Sequence, residues 1–340
     1  MSNKKQITIV KYSNIYTMLH QEFAQRNWGK KRRGDINYLR FKHRETKEDI
    51  HENLIIALVG NRVVGQIGLI PNSLVLSKQK IDSYWICDLM VEKQYRKLGI
   101  AIELYKYVIK KKQVLFGSYP SKKSEILLKL LKFKKIKGPK LLFFPINFKA
   151  LLKFKYGNLF WFQFPSLFYK ISEFLYMKYY NINYYNSNDI ESLSWDELYQ
   201  IHFESQKRIK EPHMLHDRKF LGWRGNGFEG FTEKIRGIKS SDGSSYIYFD
   251  MGSDCLYLVD FDIKNKSSGR EILGSLVSIA KKYKKNRLQL ASNTSSQNEM
   301  LKDLGWLEFT NPITLYYYTS KPEHKLENLY FTLYDSDGNL

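Results

Sequence analysis

The sequence predicts an α/β (α+β) protein of two tandem units, each a mixed, mostly antiparallel sheet flanked by helices. Three observations predict it. A first strand, two helical stretches and an antiparallel meander occupy the first ninety residues. A strand–helix–strand–helix–strand run follows it. The second half of the chain then echoes that run weakly. With 340 residues and 43% hydrophobic content, the chain is long enough for two ordinary cores.

The elements justify this in order. "QITIVKY" alternates as a first strand, with helical patterns from Ser13 to about Trp28 and around Asp35 to Asp49. "NLIIALVGNRVVGQIGLIPNSLVLS" reads as a hairpin whose turn is Gly60-Asn61, with apolar residues on both arms. "SYWICDLMV" is the next strand, and "EKQYRKLGIAIELYKYV" is a basic turn that becomes an amphipathic helix. A short strand "VLFGSYP", a helix from Lys122 to about Leu131 and a strand "KLLFFPI" complete the run. This mixed order predicts a sheet covered by helices.

The echo has two parts. "PSKKSEILLKLLKF" (120–133) lies over "NTSSQNEMLKDLGW" (293–306): small polar residues, an amphipathic helix, then an aromatic two residues after a leucine. Upstream, "RKLGIA" (96–101) lies over "KSSGRE" (266–271), placing Gly99 on Gly269. "CLYLVDFDI" precedes the second glycine as "SYWICDLMV" precedes the first. Two matches in the same order predict one fold used twice. The expected organisation is 1–145, a connector 146–184, a second unit 185–320 and a tail 321–340. The connector, "FKALLKFKYGNLFWFQFPSLFYKISEFLYMKYY", is aromatic and basic, which suits either a packed joint between units or a segment lying on a membrane.

Composition narrows the class. Cys87 and Cys255 are the only cysteines, so there is no disulfide framework and no four-thiolate metal site. The first residues enter a strand pattern without the apolar core of a signal peptide, and no run of about 18 apolar residues occurs. A cytoplasmic protein with no transmembrane span is expected. The formal net charge is +21, and between Lys93 and Lys155 there are 18 Lys and Arg against two acids, Glu103 and Glu125. Either a lysine-heavy composition or a polyanionic partner accounts for this: a nucleotide, a nucleic acid or an acidic membrane.

The basic turn carries the clearest chemistry. A helix start offers unpaired amides and partial positive charge, which suit phosphate. Gly99 lets a ligand approach the backbone, Ala101 keeps the first turn small, and Arg96 and Lys97 add mobile cations. Strand, Arg96-x-x-Gly99-x-Ala101 and amphipathic helix, after a hairpin meander, resemble the GCN5-related N-acetyltransferase (GNAT) superfamily. The resemblance covers about residues 5–145, and "NTSSQNEMLKDLGWLEF" resembles the family's final helix and strand, making 185–320 a second, degenerate copy. It implies acetyl-coenzyme A, or another acyl-coenzyme A, as co-substrate. The amides of Lys97, Leu98, Gly99, Ile100 and Ala101 would hold the diphosphate with Arg96 lending charge, and Leu89, Met90 and Val91 would pair with the pantetheine arm. Ser118 and Ser121 stand where the family has an Asn near that arm. In the second copy Lys266 and Glu271 replace the usual Arg or Gln and Gly or Ala. A carboxylate there repels a diphosphate, so only the first copy is expected to bind.

Acyl transfer to an amine requires loss of the amine proton, donors for the oxyanion and a proton for the leaving thiolate. The resemblance places the oxyanion donor at the amide of Leu89 or Met90. Asp88 is the candidate base, with a pKa expected to be raised by desolvation in its apolar strand. The family's acid, a Tyr, is replaced by Leu128, and Tyr119 is the candidate substitute. His213 and His216 lack a third ligand, so no metal is expected; they are placed instead near the acceptor. "RKFLGWR" (218–224) resembles a segment of tandem acetyltransferase-like proteins linked to bacterial surface polysaccharide synthesis, and Trp223 offers a flat face to a sugar ring. The leading expectation is an acyl-coenzyme A-dependent N-acetyltransferase acting on an amino sugar, nucleotide- or lipid-linked. The alternatives are a Fem-like peptidyltransferase using aminoacyl-tRNA and a non-catalytic binding module.

Overall fold

The computed structural model describes residues 6–29, 31–45, 50–136, 138–149, 152, 166–183, 194–227, 235–292, 294–309 and 313–335. The first half runs β1 (Ile7–Ser13), α1 (Thr17–Trp28), α2 (Ile36–His43), β2 (Ile50–Val59), β3 (Arg62–Leu76), β4 (Gln79–Val91), α3 (Ile100–Lys111), β5 (Val114–Ser118), α4 (Lys122–Leu130), β6 (Lys134–Ile136) and β7 (Lys140–Pro145). Then follow α5 (Ser166–Tyr179), α6 (Trp195–Gln206), β8 (His213–Met214), α7 (Arg218–Asn226), β9 (Arg236–Lys239), β10 (Tyr246–Met251), β11 (Cys255–Asp262), α8 (Lys266–Lys282), β12 (Arg287–Ser292), α9 (Ser295–Asp303), β13 (Leu307–Glu308) and β14 (Leu315–Thr319). The sequence-predicted elements of the first half all form, and Gly60, at φ +57, makes the β2–β3 turn with Val59 facing Arg62.

Two sheets result. The first runs β1-β2-β3-β4-β5-β14-β6 with β8 added to β3, and the second runs β13-β7-β12-β11-β10-β9. The halves therefore exchange a strand. Residues 140–145, which the sequence places at the end of the first unit, pair antiparallel with β12 in the second sheet, Leu288 opposite Phe144. Residues 315–319, placed at the end of the second unit, insert between β5 and β6 in the first. Residues 321–335 are likewise built into the core rather than trailing from it. Leu326, Leu329 and Phe331 are fully buried, and the Phe331 ring meets Trp85 at 5.8 Å.

The internal repeat is visible in the packing. In both halves a strand runs parallel to the strand that follows its helix: β4 with β5 around α3, and β11 with β12 around α8. The helices α4 and α9 match over their full lengths in the alignment of 120–133 with 293–306, and the aromatics at the ends of those segments, Phe133 and Trp306, are both buried. The glycine match does not hold. Gly99 lies before α3 in the left-handed region, whereas Gly269 lies inside α8, where a Cβ would meet Leu304 at 2.7 Å. Close packing, not a turn, explains the second glycine. No helix among the described residues is long and apolar enough to cross a membrane.

Candidate active site

The pairing of β4 with β5 stops early. Tyr84 faces Leu115 and Trp85 faces Phe116, and beyond them the strands part. Each is held by its other neighbour: β4 stays on β3 as far as Val91, and β5 stays on β14 as far as Ser118 opposite Leu315. A wedge opens at the C-terminal ends of two parallel strands, and one of its walls is set by a strand from the far end of the chain. Beyond Trp85 the β5-facing edge of β4 has main-chain groups to offer an extended ligand.

A bulge shapes that edge. Gln66 faces Met90 and Gly68 faces Cys87, so Ile67 opposes both Asp88 and Leu89, and Asp88 takes φ +48. The bulge is braced from several sides. The Gln66 amide donates to the Asp88 carbonyl at 3.3 Å and its oxygen meets His20 Nε2 at 2.7 Å. Lys42 Nζ lies 2.8 Å from the Asp88 carboxylate and Arg33 lies 3.5 Å from it. A Cβ on Gly68 would sit 2.4 Å from the His43 ring, so only glycine lets His43 pack here.

These neighbours correct the expectation for Asp88. Burial pushes its carboxyl up, but the charge and hydrogen bond of Lys42, with His43 and Arg33, outweigh burial and hold it below the ordinary carboxylate range. Lys42 is pulled up in turn: burial opposes its charge, and Asp88 more than compensates. A carboxylate so stabilised is a poor proton acceptor, which removes the physical ground for a base role. Burial also pushes His43 down to about 4 and lowers His20, so both stay neutral near pH 7.

After β4 the chain makes a short 3-10 turn, Lys93–Leu98, and reaches Gly99 at φ +74. Gly99 precedes α3 with no side-chain cap, and a Cβ built on it meets nothing within 4 Å. Ile102 and Glu103 donate to the Gly99 carbonyl at 3.0 and 3.2 Å, which leaves the amides of Ile100 and Ala101, ahead of them, as the helix-start donors. Ile100 and Leu104, fully buried, fix the helix behind them. The turn is tied down by Glu92, which takes Arg26 at 2.8 Å and Arg62 at 2.9 Å, and by Arg96 Nε, which donates to the Val91 carbonyl at 2.9 Å. Leu98 and Lys97 are exposed.

The corresponding place in the second unit is closed. Asn265 caps α8 by accepting from the Ser268 amide at 3.0 Å, and Ser268 Oγ bonds Ser245 Oγ at 2.7 Å. The Glu271 carboxylate takes the Ser241 amide at 2.6 Å, and Lys266 pairs with Asp303 at 2.8 Å. The bulge recurs, however: Tyr248 faces Asp260 and Phe249 faces Leu258. Asp260 there lies 2.7 Å from His202 Nδ1, as Asp88 lies beside Lys42.

Other sequence-predicted residues are scattered. Tyr119, half exposed at φ +47, sits at the mouth of the wedge with its amide on the Thr314 carbonyl. Ser118 ends β5 beside it. Ser121 caps α4, accepting from Ser124 at 3.2 Å, and Leu128 packs in the core. His213 and His216 are buried rather than turned to an acceptor: His216 Nε2 bonds Asp335 at 2.6 Å and its ring stacks at 5.2 Å on His202. Trp223 donates to the Phe41 carbonyl at 2.8 Å and holds Arg44 at 5.1 Å from its ring, so it joins α7 to α2 instead of offering an open platform. Sequence reasoning missed Lys42, His43, Gln66 and His20. The adjacent Lys42-His43 on a short helix, both buried, gives no periodic signal that separates them from surface residues.

Residues 14–115 match the Acetyltransferase (GNAT) family. The match spans α1 to the start of β5 and so includes the Gly99 turn. No curated protein matches the sequence. Among solved structures, a GCN5-related N-acetyltransferase from Kribbella flavida is 8% identical with a TM-score of 0.60, covering 92% of this chain and 72% of its own. A second, from Anabaena variabilis, is 10% identical at a TM-score of 0.59, with coverages of 91% and 72%. Saccharomyces cerevisiae N-myristoyltransferase with bound myristoyl-CoA is 12% identical at 0.58, covering 97% and 87%. At such identities the likeness is one of fold, and it extends over both units.

Proposed function

We propose that the chain is an acyl-coenzyme A-dependent N-acyltransferase whose first unit alone holds the co-substrate. One observation carries this: β4 leaves β5 after Trp85 and runs on to Val91, just before the uncapped Gly99 turn. The residues fit the group. Open space stands where a Cβ on Gly99 would point, and the amides of Lys97 to Ala101, with Lys97 beside them, suit a diphosphate. The β4 edge at Leu89 to Val91 suits an amide-bearing arm, with Ser118 at the opposite wall. The known binding of myristoyl-CoA by a neighbour of the same architecture supports an acyl thioester as donor.

When bound, coenzyme A supplies the acyl group as a thioester. The Leu89 or Met90 amide, re-aimed by the bulge, donates to the acyl oxygen as negative charge develops on it. Asp88 acts through Lys42, Arg33 and the Gln66 brace as a positioning residue for that bulge. Tyr119 would protonate the leaving sulfur and regain its proton from solvent. The new bond joins the acceptor nitrogen to the acyl carbon, the carbon–sulfur bond breaks, and the amine proton passes to solvent. The acceptor is an amino sugar carrying a nucleotide or lipid phosphate. Its support is the exposed basic run Lys132, Lys134 and Lys135 beside the exchanged strand, together with the net charge of +21.

Thermal shift tests the reading. Acetyl-coenzyme A at about a hundredfold its Kd raises Tm on the order of 5 °C, because it binds only the folded state. A shift with tRNA alone makes the chain a peptidyltransferase of the Fem type, and no shift with either makes it a non-catalytic module.

A further inference from the structure

The helix α5 presents its apolar side to the outside. Leu167, Phe168, Ile171, Phe174, Leu175 and Tyr179 are between 47% and 79% exposed. At about 100° per residue these six span an arc of roughly 140°, one continuous face of the helix. The opposite side is already used. Met177 is buried in the second core with Tyr176 and Tyr180 against it, the Tyr176 hydroxyl donates to the Gly305 carbonyl, and Glu173 pairs with Lys281. The helix is therefore fixed in place with its apolar arc turned outward, the reverse of the usual arrangement of a helix lying on a soluble core.

Charge selects the occupant. Lys170 and Lys178 flank or interrupt the arc and are exposed, and both have stems long enough to carry the ammonium away from an apolar surface. The Glu173–Lys281 pair brings the end of α8 beside α5, and Lys281, Lys282 and Lys284 there are all exposed. The chain as a whole carries +21. An apolar arc bordered by lysines suits a surface that is greasy below and anionic above. At 14 residues α5 is about 21 Å long, too short to cross a bilayer of about 30 Å, but suited to lie in its interface.

We propose that α5 and the adjoining end of α8 dock this protein on an anionic lipid bilayer. The apolar arc enters the headgroup boundary, and the lysines remain with the phosphates. The reading is independent of the Gly99 site, which lies in the other unit.

The test uses the full chain and vesicles of phosphatidylcholine alone or with about a third phosphatidylglycerol. Phe174→Trp, at an exposed position, adds a reporter. Its emission should shift to the blue and be quenched by brominated lipid only with the anionic vesicles. The combined variant Ile171→Ser, Phe174→Ser and Leu175→Ser should lose roughly tenfold or more in vesicle partitioning, while its melting temperature and acetyl-coenzyme A response stay unchanged. Neutralising Lys281, Lys282 and Lys284 should weaken binding severalfold at low salt. Binding that ignores the apolar substitutions would make the attraction charge alone and overturn the proposal. So would a dimer in solution that the same substitutions dissociate, since a second copy would then cover the arc.

Discussion

The two strand-to-helix turns occupy the same place in a repeated fold and differ in what completes them. In the first unit Gly99 leaves the start of α3 without a side-chain cap and with open space where a Cβ would point. In the second, Asn265, Ser268, Ser245 and Glu271 fill the same region with their own hydrogen bonds. A helix start needs partners, and the second unit supplies one through Asn265 whereas the first has no side-chain cap. The bulged strand is common to both, with Asp88 and Asp260 each bonded to a basic side chain. The bulge is thus part of the shared architecture, and the open turn is what distinguishes the unit proposed to bind.

The largest effect should come from separating the units. A fragment ending at residue 145 lacks β14, the strand between β5 and β6, and should show no cooperative melting and no coenzyme A response. A stable fragment with full affinity would mean that the exchanged strand does not build the wedge.

The bulge carboxylates come next. Asp88→Asn leaves Lys42, almost fully buried, without its charge partner, and should cost about 3 kcal/mol in urea unfolding. Asp260→Asn removes a charged acceptor from a neutral histidine and should cost about 1 kcal/mol. Equal losses would mean that the two bulges are held by the same balance of forces.

Acid sharpens the same contrast. Burial holds His43 at about 4, against 6.5 when unfolded, so unfolded chains bind a proton that folded ones refuse across that interval. Stability should be flat above pH 6.5 and fall by about 3 kcal/mol on this residue's account by pH 4. The lowered Asp88 carboxyl contributes a separate loss only below about 3.8. His43→Gln should remove that share of the loss and leave the shares of His51, His20 and His202, which burial also lowers, read by urea melts at pH 7 and 4.5.

The smallest effect concerns the surface lysines. Changing Lys132, Lys134 and Lys135 to Gln should leave acetyl-coenzyme A affinity within about twofold. It should weaken an anionic acceptor severalfold at low salt, the loss fading near 0.5 M as screening takes over. No change with any anionic partner would leave the charge a general property of the surface.

Much of this was legible in the sequence. The hairpin at Gly60-Asn61, the turn at Gly99 and the matched helices α4 and α9 follow from local chemistry and spacing. The strand exchange did not, because "KLLFFP" and "LYYYT" are both short buried strands, and nothing in either states which sheet it joins. Gly269 misled because a glycine for close packing and a glycine for positive φ look alike in one sequence. Asp88 misled for a related reason: burial was inferable from its strand, but the lysine that reverses its effect comes from a helix more than forty residues away.

The central claim is that one turn of two binds, and isothermal titration calorimetry with acetyl-coenzyme A tests it most directly. The account predicts one site per chain, abolished or weakened at least a hundredfold by Gly99→Glu, through its positive φ and the added carboxylate. Glu271→Ala should leave both affinity and stoichiometry unchanged. Two sites per chain, or a single site lost with the Glu271 substitution and kept with the Gly99 one, would contradict it.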